Sequence, residues 1–256
     1  MSAAAIVTHP HLVHVVVLLH PHVIRLAAKA VKAIRALSAA ILGRKPKISV
    51  ITPTWKRARL LLNRCIPSVA AQDYDGEIEH IIVSDGPDPA LDDVPGVTFL
   101  DEHRAAPNRG LWARLAGTRL ATGELIAYLD DDNAWRPGHL RLLAGAIERE
   151  GASFAYSRAQ CQDEHDTTWT IGCQPPVFGQ VDTSLIVHNA GLLETATWRP
   201  SGVPSDWDLV SRWLAAGAAW VHVPEITLDY YFWTRPAGEA APEFWSCYFQ
   251  AIQDAV

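Results

Sequence analysis

The chain has 256 residues, 49% of them apolar and 20% charged, and a formal net charge of −6. This is the composition of an ordinary globular protein with room for one large domain or two small ones. The charge is unevenly spread: no Asp or Glu precedes Asp73, while Arg25, Lys29, Lys32, Arg35, Arg44, Lys45 and Lys47 all do. A basic head this rich in Ala, Val, Ile and Leu suits an anionic membrane surface or a partner, and argues against bare nucleic acid.

Residues 1–46 read as a separate N-terminal segment. Leu12 to Leu19 is apolar but interrupted by His14, and it is too short for a membrane span, which needs about 20 apolar residues. The start, MSAAAIVTHPH, lacks the positive region of a secretory signal. Five histidines before Val23 scatter around prolines, a flexible polar pattern rather than a metal site. From Val23 to Leu42 the periodicity predicts a helix. Arg25, Lys29, Lys32 and Arg35 form one stripe, opposite Ile24, Val31, Ile34, Leu37 and Ile41. Such a helix serves equally for lying on a membrane, for packing on the body of the protein or for a subunit contact in a homo-oligomer. The expected location is cytoplasmic, peripheral at the inner face of the membrane through residues 23–42.

GRKPK, Gly43 to Lys47, reads as a linker into a main domain over 47–235, followed by a C-terminal helix over 236–256. Within the main domain the predicted order is strand Ile48–Thr52, helix Arg57–Ala71, strand Ile78–Ser84 and strand Val97–Asp101. Helix Leu111–Leu120, closed by Gly123, and strand Leu125–Leu129 come next. A further helix opens at Pro137 and ends at Gly151. A strand begins at Phe154–Tyr156, and extended runs Leu185–His188 and Trp220–Val223 flank a helix over Asp206–Ala216. Strands alternating with helices predict an α/β fold with a mostly parallel sheet covered on both faces.

The four cysteines, Cys65, Cys161, Cys173 and Cys247, lack zinc-type spacing. Cys65 is expected to be buried and inert. Cys161 and Cys173 are candidates to face each other across a hairpin, with reduced thiols as the default. The ten tryptophans are candidates to line a sugar or base pocket, though such residues more often fill cores.

The chemistry concentrates where predicted strands end. LIAYLDDDN runs from a buried strand straight into Asp130, Asp131 and Asp132. Ligands bind at that edge in open α/β sheets. Three adjacent carboxylates need positive charge among them, and a divalent cation with a phosphate is the natural candidate. Asp130 and Asp132 are placed to face one ligand while Asp131 faces elsewhere; the alternative is an acidic cap of the next helix. ITPTWKR puts Pro53 and Trp55 at the same edge, with Trp55 able to stack on a nucleobase or to act as a hydrophobic lid. IIVSDGPDP ends in Asp85, an acceptor for a base edge or ribose, or simply part of a turn. Arg114 is either a phosphate partner or an exposed helical arginine. In PSDWDLVSRWLAAG, Asp206 and Asp208 fall in the first turn of a helix, where the dipole favours them, and Asp206 is the candidate general base. His188 and His222 are more readily structural than functional.

Taken together these pieces resemble the family 2 glycosyltransferases of the GT-A fold, from about Lys47 to Trp233. ITPTWKR is similar to the family's opening strand, and VSDGPD to its second strand end, with Ser84 replacing an acid. Ala113-Arg114-Leu115-Ala116-Gly117 resembles its Ala-Arg-Asn-x-Gly helix, with Leu115 replacing the asparagine. ATGELIAYLDDDN resembles its Asp-x-Asp segment, and DWDLVSRWLAAG its base-bearing helix, with Ser205 in place of Glu. A histidine found near the end of several members is absent from LDYYFWTRP, where Trp233 stands near that position and Arg235 is an electrostatic substitute. The resemblance implies a metal-dependent inverting transfer from a nucleotide-sugar donor, UDP-linked by preference. Pro53, Trp55 and Asp85 would hold the nucleotide and Arg114 the diphosphate or base region. Asp130 would contact nucleotide or metal, Asp132 would ligate Mn2+ or Mg2+, and Asp206 would deprotonate the acceptor. The acceptor is left open among glycan, lipid-linked and small-molecule hydroxyls. Two rivals stand beside this reading. One is a non-catalytic scaffold of the same fold, given footing by the departures. The other is a sugar-phosphate nucleotidyltransferase, whose Gly-rich loop ITPTWKR lacks.

Overall fold

The structure, a computed structural model, describes residues 43–103, 110–163, 165–201 and 203–231 together with two short N-terminal strands. The chain divides into two compact units, Met1–Pro46 and Lys47–Val256. In the first, β1 (Ala5–His9) and β2 (Leu12–Val16) pair antiparallel, Ala5 opposite Val16. The apolar run from Leu12 thus enters a β-hairpin. The predicted basic helix over 23–42 and the C-terminal helix over 236–256 lie outside the described residues, as do Trp233 and Arg235.

The second unit is an α/β sandwich around a single sheet. β3 (Ile48–Thr54) is buried along its whole length, because both faces of a central parallel strand are covered. A helical run follows from Ala58–Leu60 through a π-helical stretch, Leu61–Cys65, to Ile66–Ala70 (together α1). Next come β4 (Ile78–Ser84), β5 (Val97–Phe99), α2 (Leu111–Leu120) and β6 (Leu125–Tyr128). β7 (Ala134–Trp135) leads to α3 (His139–Glu150) and β8 (Phe154–Gln162). β9 (Thr168–Ile171), β10 (Ile186–Asn189), α4 (Ser205–Ala215) and β11 (Trp220–Tyr231) complete the series.

The strand order is β5-β4-β3-β6-β10-β8-β11-β7, with β9 beside β8. The first four strands are parallel. Beyond them the sheet is mixed, because β10 enters antiparallel between β6 and β8 while β8 and β11 run parallel. β3, β4 and β6 therefore deliver their carboxyl ends to one edge. Pro53 is tolerated inside β3 because pairing with β6 stops at Ile51 opposite Tyr128, so no partner strand awaits its missing N–H.

Some expectations shift by a few residues. α3 starts at His139, not Pro137, because Arg136 donates its N–H to the Thr227 carbonyl and ties the preceding residues to β11. Gly151 ends α3 in the left-handed region, φ 63°. Cys161 pairs across the β8–β9 hairpin with Trp169, not Cys173. Cys65, Cys161 and Cys173 are free thiols, and burial pushes Cys65 up to about 12, so it is inert. No helix among the described residues is long and apolar enough to cross a membrane.

One close approach seats the helix that carries Arg114. A Cβ on Gly117 of α2 would lie 2.5 Å from Ile51 Cγ2 in β3, and a β-branched core side chain cannot swing away freely. Gly117→Ala is expected to lower stability by about 1–3 kcal/mol in urea denaturation, through overpacking of the α2–β3 interface.

Candidate functional site

The acidic triplet emerges from β6 with its charges divided between two arginines. Asp130 Oδ1 accepts from Arg114 Nη2 at 2.5 Å. Asp131, buried, accepts from Thr54 Oγ1 at 2.7 Å and from Arg57 Nη1 at 3.2 Å, and the same Arg57 atom reaches Asp132 Oδ2 at 2.5 Å. Arg64, at the other end of the π-helical turn, donates to the Asp132 carbonyl at 2.6 Å and lies 3.8 Å over the Tyr231 ring. Among the described residues the positive charge beside the acids is thus guanidinium. Burial and then the neighbouring Asp132 push Asp131 up to about 7, against Arg57 and Thr54.

Arg114 is no exposed helical arginine. It is buried, and although burial opposes its charge, Asp130, Asp182 and Asp206 hold its pKa above the usual value. Asp182 caps a 3-10 turn, Thr183–Leu185, by accepting from Ser184 N–H at 2.8 Å. Ser184 Oγ in turn accepts from the Asp130 N–H at 3.3 Å. Burial and then Asp130 push Asp182 well above the usual carboxylate range. Gly110 opens α2 at φ 69°, where a Cβ would stand 3.0 Å from Pro53 and 3.1 Å from Arg114 Nη1.

At the ends of β3 and β4 a second group forms. Asp85 is 3% exposed and donates its N–H to the Thr54 carbonyl at 2.8 Å. Its Oδ2 lies 3.3 Å from His103 Nδ1, while its Oδ1 has no hydrogen-bond partner among the described residues. A buried acceptor left in that state costs about 1–3 kcal/mol, so it suits a ligand that brings a donor. His103 stacks on Trp55 with ring centroids 4.3 Å apart and a 4° tilt. Lys56 holds a left-handed backbone, φ 53°, pinned by Asp88 Oδ2, which accepts its N–H at 3.0 Å.

The two acids of the α4 first turn have different fates. Asp208 is held by Arg199 and Arg212, its oxygens 3.0 and 2.6 Å from their Nη2 atoms. Burial opposes its charge, but those hydrogen bonds keep it below the usual range. Asp206 accepts the N–H of its neighbour Trp207 at 2.7 Å, and its own backbone N–H also favours its charge. Burial, with the charge of Asp130 adding to it, pushes Asp206 up to about 6.

The structure therefore brings Arg114, Asp130 and Asp206 into one electrostatic group, and joins Trp55 to Asp85 through His103. Pro53 lies against Gly110 beneath them. Asp132 is tied to Arg57. Arg57, Asp182 and His103 were not singled out from the sequence. Arg57 stands within ITPTWKR, and Asp182 has the Asp-Thr-Ser signal of a cap, whereas nothing marks His103. The two histidines considered earlier are structural: His188 Nε2 meets Tyr128 Oη at 3.0 Å and His222 Nε2 meets the Gly172 carbonyl at 2.7 Å.

A family model described as glycosyl transferase family 2 matches residues 49–180, just over half of the chain. The chain belongs to glycosyltransferase family 2. Among curated family relatives, a glucosyl-dolichyl phosphate glucuronosyltransferase of Haloferax volcanii is 28% identical over 149 residues, 52% of this chain and 47% of that one. A putative colanic acid biosynthesis glycosyl transferase, WcaA, of Escherichia coli is 35% identical over 130 residues, 46% and 45% of the two chains. The chain thus spans less than half the length of these relatives. The solved structure of S. aureus TarS 1–349 in complex with UDP-GlcNAc superposes with a TM-score of 0.61 at 16% identity, over 78% of this chain and 64% of that one. That likeness establishes the GT-A glycosyltransferase fold.

The unequal treatment of Asp206 and Asp208 has a measurable signature in this family 2 domain. Asp208 stabilises the fold above the ordinary carboxylate pKa of about 3.9, and that contribution is lost as pH falls through its lower folded value. Asp208→Asn should cost about 1–2 kcal/mol near pH 7, the partial exposure of Arg199 moderating the loss. Asp206 has a raised folded pKa, so its contribution is lost as pH rises through about 6. Asp206→Asn should be at least as stable as the native chain at pH 8. Urea denaturation of both variants at several pH values checks the contrast.

Proposed function

We propose that the chain transfers a sugar from a nucleoside diphosphate donor, of the uridine class, to an acceptor hydroxyl with inversion at the anomeric carbon. The observation that carries this reading is the state of Asp206. It stands in the first turn of α4, where burial and Asp130 raise its pKa and Arg114 lowers it. A carboxylate so placed is poised to take a proton near neutral pH. Trp55 and Asp85 at the same sheet edge offer a stacking face and a buried acceptor for the nucleobase. The complexes of S. aureus TarS with UDP-GlcNAc and with UDP support a UDP donor by fold likeness.

The chemistry balances as a single displacement. The acceptor oxygen forms its bond to the anomeric carbon as the bond from that carbon to the phosphate oxygen breaks. Asp206 takes the acceptor proton, and the electron pair leaves with the diphosphate. Arg114 orders the surrounding carboxylates and holds Asp130 in place.

The donor set at the edge is carboxylate oxygen, which suits Mn2+ or Mg2+. Among the described residues, no three acids, histidines or cysteines gather to grip a metal unaided, so Asp130 and Asp132 would hold the ion together with the donor's diphosphate. Bound there, it would offset negative charge on the leaving group.

Two measurements test the reading. Manganese with UDP should raise the melting temperature more than either alone, and Asp132→Ala should abolish that synergy. With a panel of nucleotide sugars and manganese, the native chain should release nucleoside diphosphate, and the rate should fall as pH drops through about 6, where Asp206 takes up a proton. Asp206→Asn should keep UDP binding and lose about 10²–10⁴-fold in rate. Release at the native rate in both variants would overturn the assignment; no release from any donor by the native chain would leave a non-catalytic binding protein.

A further inference from the structure

A nucleobase seated at this edge would make two contacts, its face on the Trp55 ring and an N–H toward the Asp85 carboxylate. His103 already makes both. Its ring lies 4.3 Å from Trp55 and nearly parallel. Its Nδ1 is 3.3 Å from Asp85 Oδ2 and 3.0 Å from the Asp85 carbonyl oxygen. Both of these are acceptors, so Nδ1 carries a hydrogen and donates, with the same polarity as the imide N–H of a uracil ring. The geometry points to His103 as a built-in competitor for the donor: its imidazole sits in the nucleobase seat, and the base must displace it to bind. This rests on the reading that Trp55 and Asp85 hold the nucleotide.

Three observations favour displacement over a base that stacks on top of His103. Asp85 Oδ1 is buried without a hydrogen-bond partner among the described residues, so His103 leaves one acceptor of this carboxylate unanswered. The His103 side chain is 34% exposed against 4% for Asp85, so it is the member of the pair that borders solvent. Gly86, φ 118°, has no room for a Cβ: one would fall 2.7 Å from the His103 backbone nitrogen and 3.0 Å from Trp55 Cζ3. The main chains of Gly86 and His103 are thus in close contact, and the exchange proposed is a rotation of the His103 side chain. The consequence is an affinity set below what Trp55 and Asp85 alone would give.

Calorimetric titration with UDP and manganese tests this on the native chain and on His103→Ala. Removing a stacked competitor should tighten UDP binding about three- to tenfold. Binding of inorganic pyrophosphate, which has no base, should be unchanged. In the native chain the His103 ring proton signals, shifted by the Trp55 ring, should move to exposed-imidazole positions as UDP saturates. If the native chain binds UDP and His103→Ala binds it equally or more weakly, His103 is a platform or a bystander and the proposal fails alone. If neither protein binds UDP, the nucleotide reading fails with it.

Discussion

A buried guanidinium organises this edge of the sheet. Taking an arginine out of water costs several kcal/mol unless charge and hydrogen bonds compensate it, and Arg114 is compensated from three places distant in the chain: Asp130 beyond β6, Asp182 before β10 and Asp206 at the head of α4. The dependence is mutual, since three carboxylates drawn together without a cation repel one another. Neither party is stable there alone. The seating of α2 therefore matters beyond its own packing. Gly110 and Gly117, seven residues apart, bring one face of the helix against Pro53 and Ile51 of β3, and Arg114 lies between them on the approach to the acids.

The remaining charges follow the same logic and separate acids that look alike in sequence. Asp131 is spent on structure, buried between Thr54 and Arg57. Asp208 is spent likewise, between Arg199 and Arg212. With Asp131 and Asp132 on Arg57 and Asp208 on its own two arginines, Asp130 and Asp206 remain coupled through Arg114. Arg199 and Arg212 favour the charged form of Asp208 and make it a poor base, whereas burial keeps the pKa of Asp131 raised in spite of its donors. Of the two acids in the first turn of α4, Asp208 is thus committed to its ion pairs, and Asp206 is the one proposed to take the proton.

Much of the first half of the domain was legible because its signals are local. β4 and α2 run over the residues their patterns predict, and the acids fall at the sheet edge because a buried strand cannot contain them. What sequence could not supply was partnership across the chain. Arg57 reaches two of the three aspartates from more than seventy positions away. β10 was legible as an extended run, but its antiparallel entry between β6 and β8 has no local signature. β11 is far longer than the apolar run Trp220–Val223, because its continuation is half exposed, contains Pro224 and Glu225, and shifts register against β8. His103 lay beyond reach altogether, since an exposed histidine after a short edge strand carries no pattern.

The antiparallel entry of β10 has the larger functional consequence. It delivers the turn Thr183–Leu185 against the end of β6, where Ser184 accepts from the Asp130 N–H and its carbonyl accepts from Trp135 Nε1 at 2.8 Å. Asp182 thereby enters the field of Arg114 from the second half of the domain, and α4 brings Asp206 beside it. The family match covers residues 49–180, and Asp206, the proposed base, lies outside it. The assignment of Asp206 accordingly stands on electrostatics. Burial, with Asp130 adding to it and Arg114 opposing it, holds the pKa of Asp206 up, and Arg114 links this acid to Asp130 and Asp182 across the two halves of the sheet.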